Sequence, residues 1–201
     1  MAAHQLQPLP KPIAIFPNFI AKQNETIKLR ERMMSLSGDS FHITLYPNDT
    51  PILQVQGNAF SLSGRKEVRD MQNNHLFTIR KQHFSIPRTY YAEDPEGNNF
   101  FEVQGKFSLG SSKAYGKFQY NAEGQGMKDA SLFMKGDFFD TEAEIKDEES
   151  GMTVALIDRK FLNARELLGG QQTYVVTVAP GMDMAIICAM CICLDERKNE
   201  G

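Results

Sequence analysis

The sequence has no tryptophan, few cysteines and no apolar run long enough to span a membrane. The three cysteines, Cys188, Cys191 and Cys193, lie in one short stretch, so they cannot link distant parts of the chain into a disulfide framework. The first residues also lack the basic and apolar regions of a secretory signal. We therefore expect a cytoplasmic protein without a transmembrane span, either free or peripheral at a membrane.

A strong net charge is missing as well. The chain of 201 residues has 22 basic and 25 acidic side chains, a net charge of -3. This balance gives no general reason to bind nucleic acid, and we expect no nucleic-acid partner. The hydrophobic share of 41% and the charged share of 23% are typical of a soluble globular protein.

Motifs of catalysis and metal binding are absent from the sequence. The four histidines are scattered, and neither an H-E-x-x-H motif nor a G-x-S-x-G motif occurs. The pair Cys188 and Cys191 would supply half of a zinc site, but there is no second cysteine pair. The acids of the C-terminal third do not follow the calcium-loop pattern. We expect no enzyme, no cofactor and no metal site, and we interpret the cysteines as buried hydrophobic residues.

Apolar residues alternate with polar ones in many short segments. Clear examples are Phe41, Ile43 and Leu45, then Ala114, Gly116, Phe118 and Tyr120, then Ala143 and Ile145. A period of two predicts strands that are buried on one face, and Asn, Gly and Pro clusters separate them. About a dozen strands are expected. That number favours closure into a barrel, because closure removes exposed strand edges.

The segment 184–194 breaks the alternation, because its eleven residues are all apolar. It predicts a helix at about 183–196, with Asp183 at its N-terminal end. Eleven helical residues span about 17 Å, well short of a bilayer core of roughly 30 Å. We therefore predict a mainly β fold, in which about twelve antiparallel strands form a closed barrel around this hydrophobic helix.

The N-terminal residues 1–25 predict an extended lead-in, because prolines stand at positions 8, 10, 12 and 17. This segment is either a passive arm or a polyproline ligand. Residues 26–201 are then expected to form a single barrel domain.

Several sequence segments resemble the LURP-one-related family. They are LFTIRK at 76–81, TYYAE at 89–93, LFMKGDFFD at 132–140, VALIDRK at 154–160 and TYVVTVAPGMD at 173–183. The resemblance extends from about residue 36 to residue 196. That family is grouped with tubby C-terminal domains and phospholipid scramblases, so the resemblance implies a twelve-stranded barrel around a hydrophobic C-terminal helix.

The resemblance implies little about function, because most members of that family are uncharacterised and some plant members are linked to defence. Tubby domains bind phosphoinositides, and scramblases move lipids with calcium. The scramblase calcium segment is acidic just before the last helix, whereas this chain has the apolar residues 175–181 followed by Asp183. This departure speaks against calcium binding at that place.

The charge of the chain is unevenly distributed. Residues 1–136 carry 16 basic and 12 acidic groups, and residues 137–201 carry 6 and 13. If Asn73 and Asn74 form a two-residue turn, Val68 faces Ile79 inside the barrel and Glu67 faces Arg80 outside. Arg65, Arg69 and Arg80 then share one outer face with a single acid, a pattern that suits phosphate. The hairpin after Gly136 carries Glu142 and Glu144 instead.

Two classes of function follow from these observations. The first is a non-enzymatic binding or adaptor module that contacts an anionic phospholipid surface, phosphoinositides included, through Arg65, Arg69 and Arg80, or that binds a protein partner alone. The second is a scramblase-like protein that moves lipids. A helix that is enclosed by the barrel would favour the first class, since such a helix cannot insert into a bilayer.

Overall fold

The computed structural model describes residues 5–31, 40–57, 65–82, 89–108, 111–136, 142–159 and 172–198. In this part of the chain, twelve antiparallel strands form one closed barrel and a long helix follows them. The strands are β1 (Glu25–Glu31), β2 (Ser40–Leu45), β3 (Thr50–Gly57), β4 (Lys66–Asp70), β5 (His75–Lys81), β6 (Thr89–Glu93), β7 (Asn99–Ser108), β8 (Ser111–Ala122), β9 (Gly126–Gly136), β10 (Glu142–Asp147), β11 (Thr153–Asp158) and β12 (Gln172–Val178). The helix is α1 (Met184–Lys198). The predicted fold is confirmed.

Each strand pairs with the next strand of the chain, and β12 returns to pair with β1. The closing pair extends from Glu25 opposite Val178 to Glu31 opposite Gln172. Every described strand therefore has two hydrogen-bonded neighbours, and none of them presents a free edge to another molecule.

Alternate residues of each strand point into the barrel, as the period of two predicted. In β8, Ala114 and Phe118 are buried whereas Tyr115 and Lys117 are exposed. In β10, Ile145 is buried. The inward-facing side chains form one core with the helix.

Helix α1 fills the barrel, and residues 184–194 are buried on every side. Gly116 shows how closely the wall approaches the helix. A Cβ atom at this position would lie 3.3 Å from Sδ of Met190 and 3.1 Å from the ring of Phe101. The barrel therefore surrounds the helix on all sides, which explains why α1 lacks a polar face.

The helix is held at its start by Asp183, whose carboxylate is fully buried. One carboxylate oxygen accepts the N–H groups of Ala185 at 2.8 Å and Ile186 at 3.4 Å. The other accepts those of Ile15 at 3.0 Å and Phe16 at 2.8 Å. Burial raises the pKa of Asp183 to about 6, although the four N–H donors act in the opposite direction. The carboxylate of Asp183 thus caps α1 and, with its other oxygen, binds the N-terminal segment.

The N-terminal segment closes this end of the barrel. The N–H groups of Leu9, Ile13 and Ala21 donate to the carbonyl oxygens of residues 180, 181 and 182 at 2.9, 3.0 and 2.9 Å. Ile13 and Ala21 are buried, and the ring of Phe16 packs 5.6 Å from that of Phe77. Residues 5–24 are therefore bound through backbone hydrogen bonds to the residues that precede α1. We name the end that the N-terminal segment closes the plugged end of the barrel. The opposite end, where α1 ends, is named the far end.

A second aspartate holds the helix near the far end. Asp195 accepts a hydrogen bond of 2.7 Å from the hydroxyl of Tyr174, and its other oxygen lies 3.2 Å from Nη2 of Arg159. The guanidinium carbon of Arg159 lies 4.4 Å from the centre of the Tyr174 ring. Burial, together with the charge of Asp195, raises the pKa of Tyr174 well above its usual value. Both ends of α1 are therefore tied to other parts of the barrel.

Candidate functional site

The candidate site is the outer face of the hairpin β4–β5, and its strands pair differently from the prediction. Val68 lies opposite Phe77, and Glu67 lies opposite Thr78. The predicted partners were Ile79 and Arg80, so the predicted register is wrong by two residues. A further shift of one residue occurs between Val68 and Arg69, which lies opposite His75.

The turn of this hairpin explains the shift. The N–H of Asp70 donates to the carbonyl oxygen of Asn74, and the N–H of Asn73 donates to that of Asp70. The carboxylate of Asp70 accepts the N–H groups of Gln72 and Asn74, at 2.9 and 2.8 Å, and the side-chain amide of Asn74 at 2.8 Å. The Asn74 side chain is the main cause that lowers the pKa of Asp70. Asp70 and Asn74 therefore close a longer loop than the predicted two-residue turn.

Arg69 lies on the outer face and has partners of its own. Its Nη1 donates to the carbonyl oxygen of Asn73 at 2.9 Å, and its Nη2 forms a close ion pair with Glu67. The two side chains are 24% and 25% exposed, so the pair is only partly accessible to water. Beside it, Nε2 of His75 lies 2.9 Å from the hydroxyl of Thr78. Arg69 is therefore committed to the hairpin itself.

Arg80 is paired with the neighbouring strand β6. Its Nε lies 2.5 Å from a carboxylate oxygen of Glu93, and the Glu93 side chain is only 14% exposed. The pairing of β5 with β6 places Arg80 opposite Tyr91 and Thr78 opposite Glu93, so this ion pair is diagonal. The pairing of Glu93 with Arg80 was not predicted from the sequence.

Arg65 differs from the other two arginines. It stands half-buried just before β4 and forms no ion pair with another residue that the structure describes. Extending the β4–β5 register by one step from Lys66, which lies opposite Ile79, brings Arg65 opposite Arg80. The hairpin face thus holds three arginines and two acids, and Arg65 is the arginine that those acids leave uncompensated.

The acidic side chains of the C-terminal third that were considered as calcium ligands have partners within the protein. Asp147 accepts the N–H and the hydroxyl of Ser150, at 2.9 and 2.6 Å. Glu148 accepts the hydroxyl of Ser131, and Glu149 pairs with Lys128. No group of metal-ligating side chains is found among the described residues. In the hairpin β10–β11, Glu142 is exposed, whereas Glu144 pairs with Lys146 at 3.3 Å.

The three cysteines lie inside the barrel on α1, where all are buried and none forms a disulfide. Burial raises the pKa of the Cys188 and Cys191 thiols, so the reactive thiolate is disfavoured. In the part of the chain that the structure covers, no helix is long and apolar enough to cross a membrane.

A groove of about 690 Å³ lies on the outside of β6–β9. Phe100, Met127 and Tyr91 supply part of its lining, and Glu102, Asp129 and Glu149 supply negative charge. This groove could not be predicted from the sequence, because the side chains that meet there depend on the register of four neighbouring strands.

The fold and the buried helix together define a class, namely closed twelve-stranded barrels that are filled by their own C-terminal helix. The family model of LURP-one-related proteins matches residues 25–195, which run from β1 into α1. The chain belongs to the LURP-one-related family, as the resemblance predicted.

One protein of similar sequence and one of similar structure can be compared with this chain. Protein LURP-one-related 10 of Arabidopsis thaliana is 22% identical over 189 residues, which cover 92% of this chain and 96% of that protein. An X-ray structure of another Arabidopsis thaliana protein aligns with a TM-score of 0.64 at 17% identity. The alignment covers 93% of this chain and 99% of that one, and at this identity it shows the fold alone.

Proposed function

We propose that this protein is a non-enzymatic binding module that recognises anionic phospholipid headgroups, phosphoinositides among them, through the outer face of the β4–β5 hairpin. The observation that carries the proposal is Arg65, an arginine without an ion pair to a described residue. A guanidinium presents its N–H donors in a planar fork that matches two phosphate oxygens.

Arg80 supports this role through its own ion pair. Glu93 holds the guanidinium in place at 2.5 Å, and the register brings Arg65 alongside. A phosphate that meets Arg65 would find the second cation already oriented, so little side-chain freedom would be lost on binding. Arg69 contributes mainly by holding the turn, because its N–H groups are occupied by Glu67 and Asn73.

The scramblase-like alternative has less support. Such a protein would have to bring α1 into contact with lipid, yet Asp183 and Asp195 tie both ends of the helix to the barrel. Residues 184–194 would also have to leave a core in which all of them are buried. A binding function needs neither change.

A protein-binding adaptor is the second candidate, and the groove on β6–β9 favours it. The groove combines apolar side chains with three acids, Glu102, Asp129 and Glu149, and one lysine, Lys117. This combination suits a segment that carries both apolar and basic residues.

The test of the lipid proposal is the Arg65→Gln variant in co-sedimentation with vesicles that contain phosphatidylinositol bisphosphate. Loss of one arginine near an anionic surface should weaken binding about fivefold, which corresponds to about 1 kcal/mol. The matched control is Lys117→Gln, which removes one exposed cation from the outer face of β8. Wild-type protein that fails to bind at low salt would refute the proposal and favour the adaptor.

Replacing all three arginines is a less selective test. Arg69→Gln and Arg80→Gln would leave Glu67 and Glu93 without their cations, and these side chains are only 25% and 14% exposed. Removing one partner of a partly buried ion pair destabilises the fold, so lost binding in the triple variant could reflect lost structure. Arg65→Gln avoids this difficulty.

A further inference from the structure

The described turns at the plugged end of the barrel are acidic. Five described turns lie at the plugged end, at residues 46–49, 71–74, 94–98, 123–125 and 148–152. Each contains an acidic residue or directly follows one, and none contains a basic residue. The turns of the plugged end therefore offer no cation to a negatively charged surface, and the cations at this end are Lys11 and Lys22 of the N-terminal segment.

Two lysines face each other near the far end. Lys113 of β8 lies directly opposite Lys135 of β9, and both side chains are exposed. The backbone register continues this row to Lys106 of β7, opposite Lys113. Like charges directly opposite each other destabilise a sheet, so this arrangement does not serve the stability of the barrel.

These lysines have no internal counter-charge among the described residues. Neither Lys113 nor Lys135 forms an ion pair with a residue that the structure covers. Glu144 lies opposite Lys135 in the register, but its carboxylate is already engaged by Lys146 and by the hydroxyl of Thr153. Neither ammonium group is therefore neutralised by a carboxylate of a described residue.

An aromatic pair stands beside the lysine pair. Tyr115 lies opposite Phe133, two residues further along the same strands, and the two ring centres are 4.9 Å apart. Tyr115 is 38% exposed, and the other large apolar residues that are exposed in the described part of the chain, Met71 and Met127, are not aromatic and lie nearer the plugged end. Aromatic rings next to lysines are typical of surfaces that meet the boundary between lipid headgroups and acyl chains.

We infer that Lys113, Tyr115, Phe133 and Lys135, named here the β8–β9 patch, dock the barrel on an anionic phospholipid surface with its far end towards the lipid. The lysines attract the headgroups and the aromatic pair enters the interface, while the acidic turns of the plugged end face away. The inference rests on the proposed function for the class of ligand, but it does not depend on the hairpin arginines.

The absence of tryptophan makes a direct test possible. Tyr115→Trp would introduce a single tryptophan into the patch, and Gln119→Trp would place one at an exposed position on the same face of β8, nearer the plugged end. Vesicles of phosphatidylcholine with phosphatidylserine should shift the emission of the first variant to the blue and protect it from acrylamide. The emission of the second should not change, and pure phosphatidylcholine should affect neither.

A matched pair of charge variants completes the test. Lys113→Gln with Lys135→Gln removes the two lysines of the patch, whereas Lys22→Gln with Lys117→Gln removes two exposed lysines that lie nearer the plugged end and form no ion pair with a described residue. In the Tyr115→Trp background, the first pair should weaken vesicle binding about thirtyfold, and the second should have little effect.

Each outcome decides between the two proposals. Binding that requires Arg65 but leaves the emission of the Tyr115→Trp variant unchanged would overturn the patch and keep the hairpin. A blue shift that requires the patch lysines but not Arg65 would support the patch and refute the hairpin. A response to single-stranded RNA without one to vesicles would overturn both, and equal losses from the two lysine pairs would overturn the patch alone.

Discussion

Asp183→Ala is the substitution that should damage the fold most specifically. It removes the acceptor for four backbone N–H groups, those of Ile15, Phe16, Ala185 and Ile186. Each buried donor left without an acceptor costs about 1–3 kcal/mol, but the carboxylate also loses hydration when it is buried. We expect a net loss of about 2–4 kcal/mol, a large part of a typical stability of about 5–15 kcal/mol.

The assay is urea unfolding followed by circular dichroism, with Asp129→Ala as the control. Asp129 is exposed and accepts one hydrogen bond from Gln119 at 2.8 Å, so its loss should cost less than about 1 kcal/mol. Trypsin should also cleave the Asp183 variant sooner after Lys22, because the N-terminal segment loses its contact with the helix cap. The account of the plugged end would be refuted by equal stabilities of the two variants.

The pH dependence of this site has a definite sign. The pKa of Asp183 is raised from 3.8 to about 6 in the folded protein. Its contribution to stability is therefore fully present below about pH 4 and is lost as the pH rises through about 6. The difference in unfolding free energy between the wild type and Asp183→Asn should fall by about 3 kcal/mol between pH 4 and pH 7. A difference that grows with pH would contradict the reasoning.

Three further substitutions or treatments test the core. Ala185→Asp should prevent folding, seen as lost solubility and helicity, because residue 185 is fully buried and an unpaired charge there costs several kcal/mol. Cys188 and Cys191 should resist alkylation until urea unfolds the protein, and rapid labelling of the native state would contradict the central helix. Gly136→Ala should cost at least about 2 kcal/mol more than Gly124→Ala in urea unfolding, since a Cβ at 136 would lie 2.6 Å from a backbone oxygen, whereas the space at 124 is open.

The barrel and its helix could be predicted from hydrophobic pattern because burial leaves a direct mark on the sequence. A strand with one buried face alternates, as Ala143 and Ile145 do, and a helix enclosed on all sides is apolar throughout, as residues 184–194 are. The N-terminal segment that closes the barrel shows no such hydrophobic pattern. Its prolines suppress periodicity, and its backbone is bound through carbonyl groups that every residue possesses.

The partners of the arginines could not be predicted in the same way. A shift of two residues in the β4–β5 pairing keeps Val68 inside and Arg69 outside, so the hydrophobic pattern is identical for both registers. The ion pairs of Arg69 and Arg80 depend on this register and on the position of β6, so the hydrophobic pattern could not predict them. A usable signal lay in the turns. Asp70 and Asn74 close one loop, and Asp94 and Asn98 close another in the same way, with an Asp four residues before an Asn in each.

The closed wall and the tied helix restrict where any function can lie. Every described strand edge is paired, and the interior is filled by residues 184–194, so neither an added strand nor a ligand inside the barrel is available. Recognition must then use outward-facing side chains, and among these the charges are not spread evenly. Arg65, Lys113 and Lys135 lie near the far end without acidic partners among the described residues, whereas the turns of the plugged end are acidic. The two proposed contacts, Arg65 of the hairpin and the β8–β9 patch, therefore lie near the same end of the barrel, and under both proposals an anionic surface would meet that end.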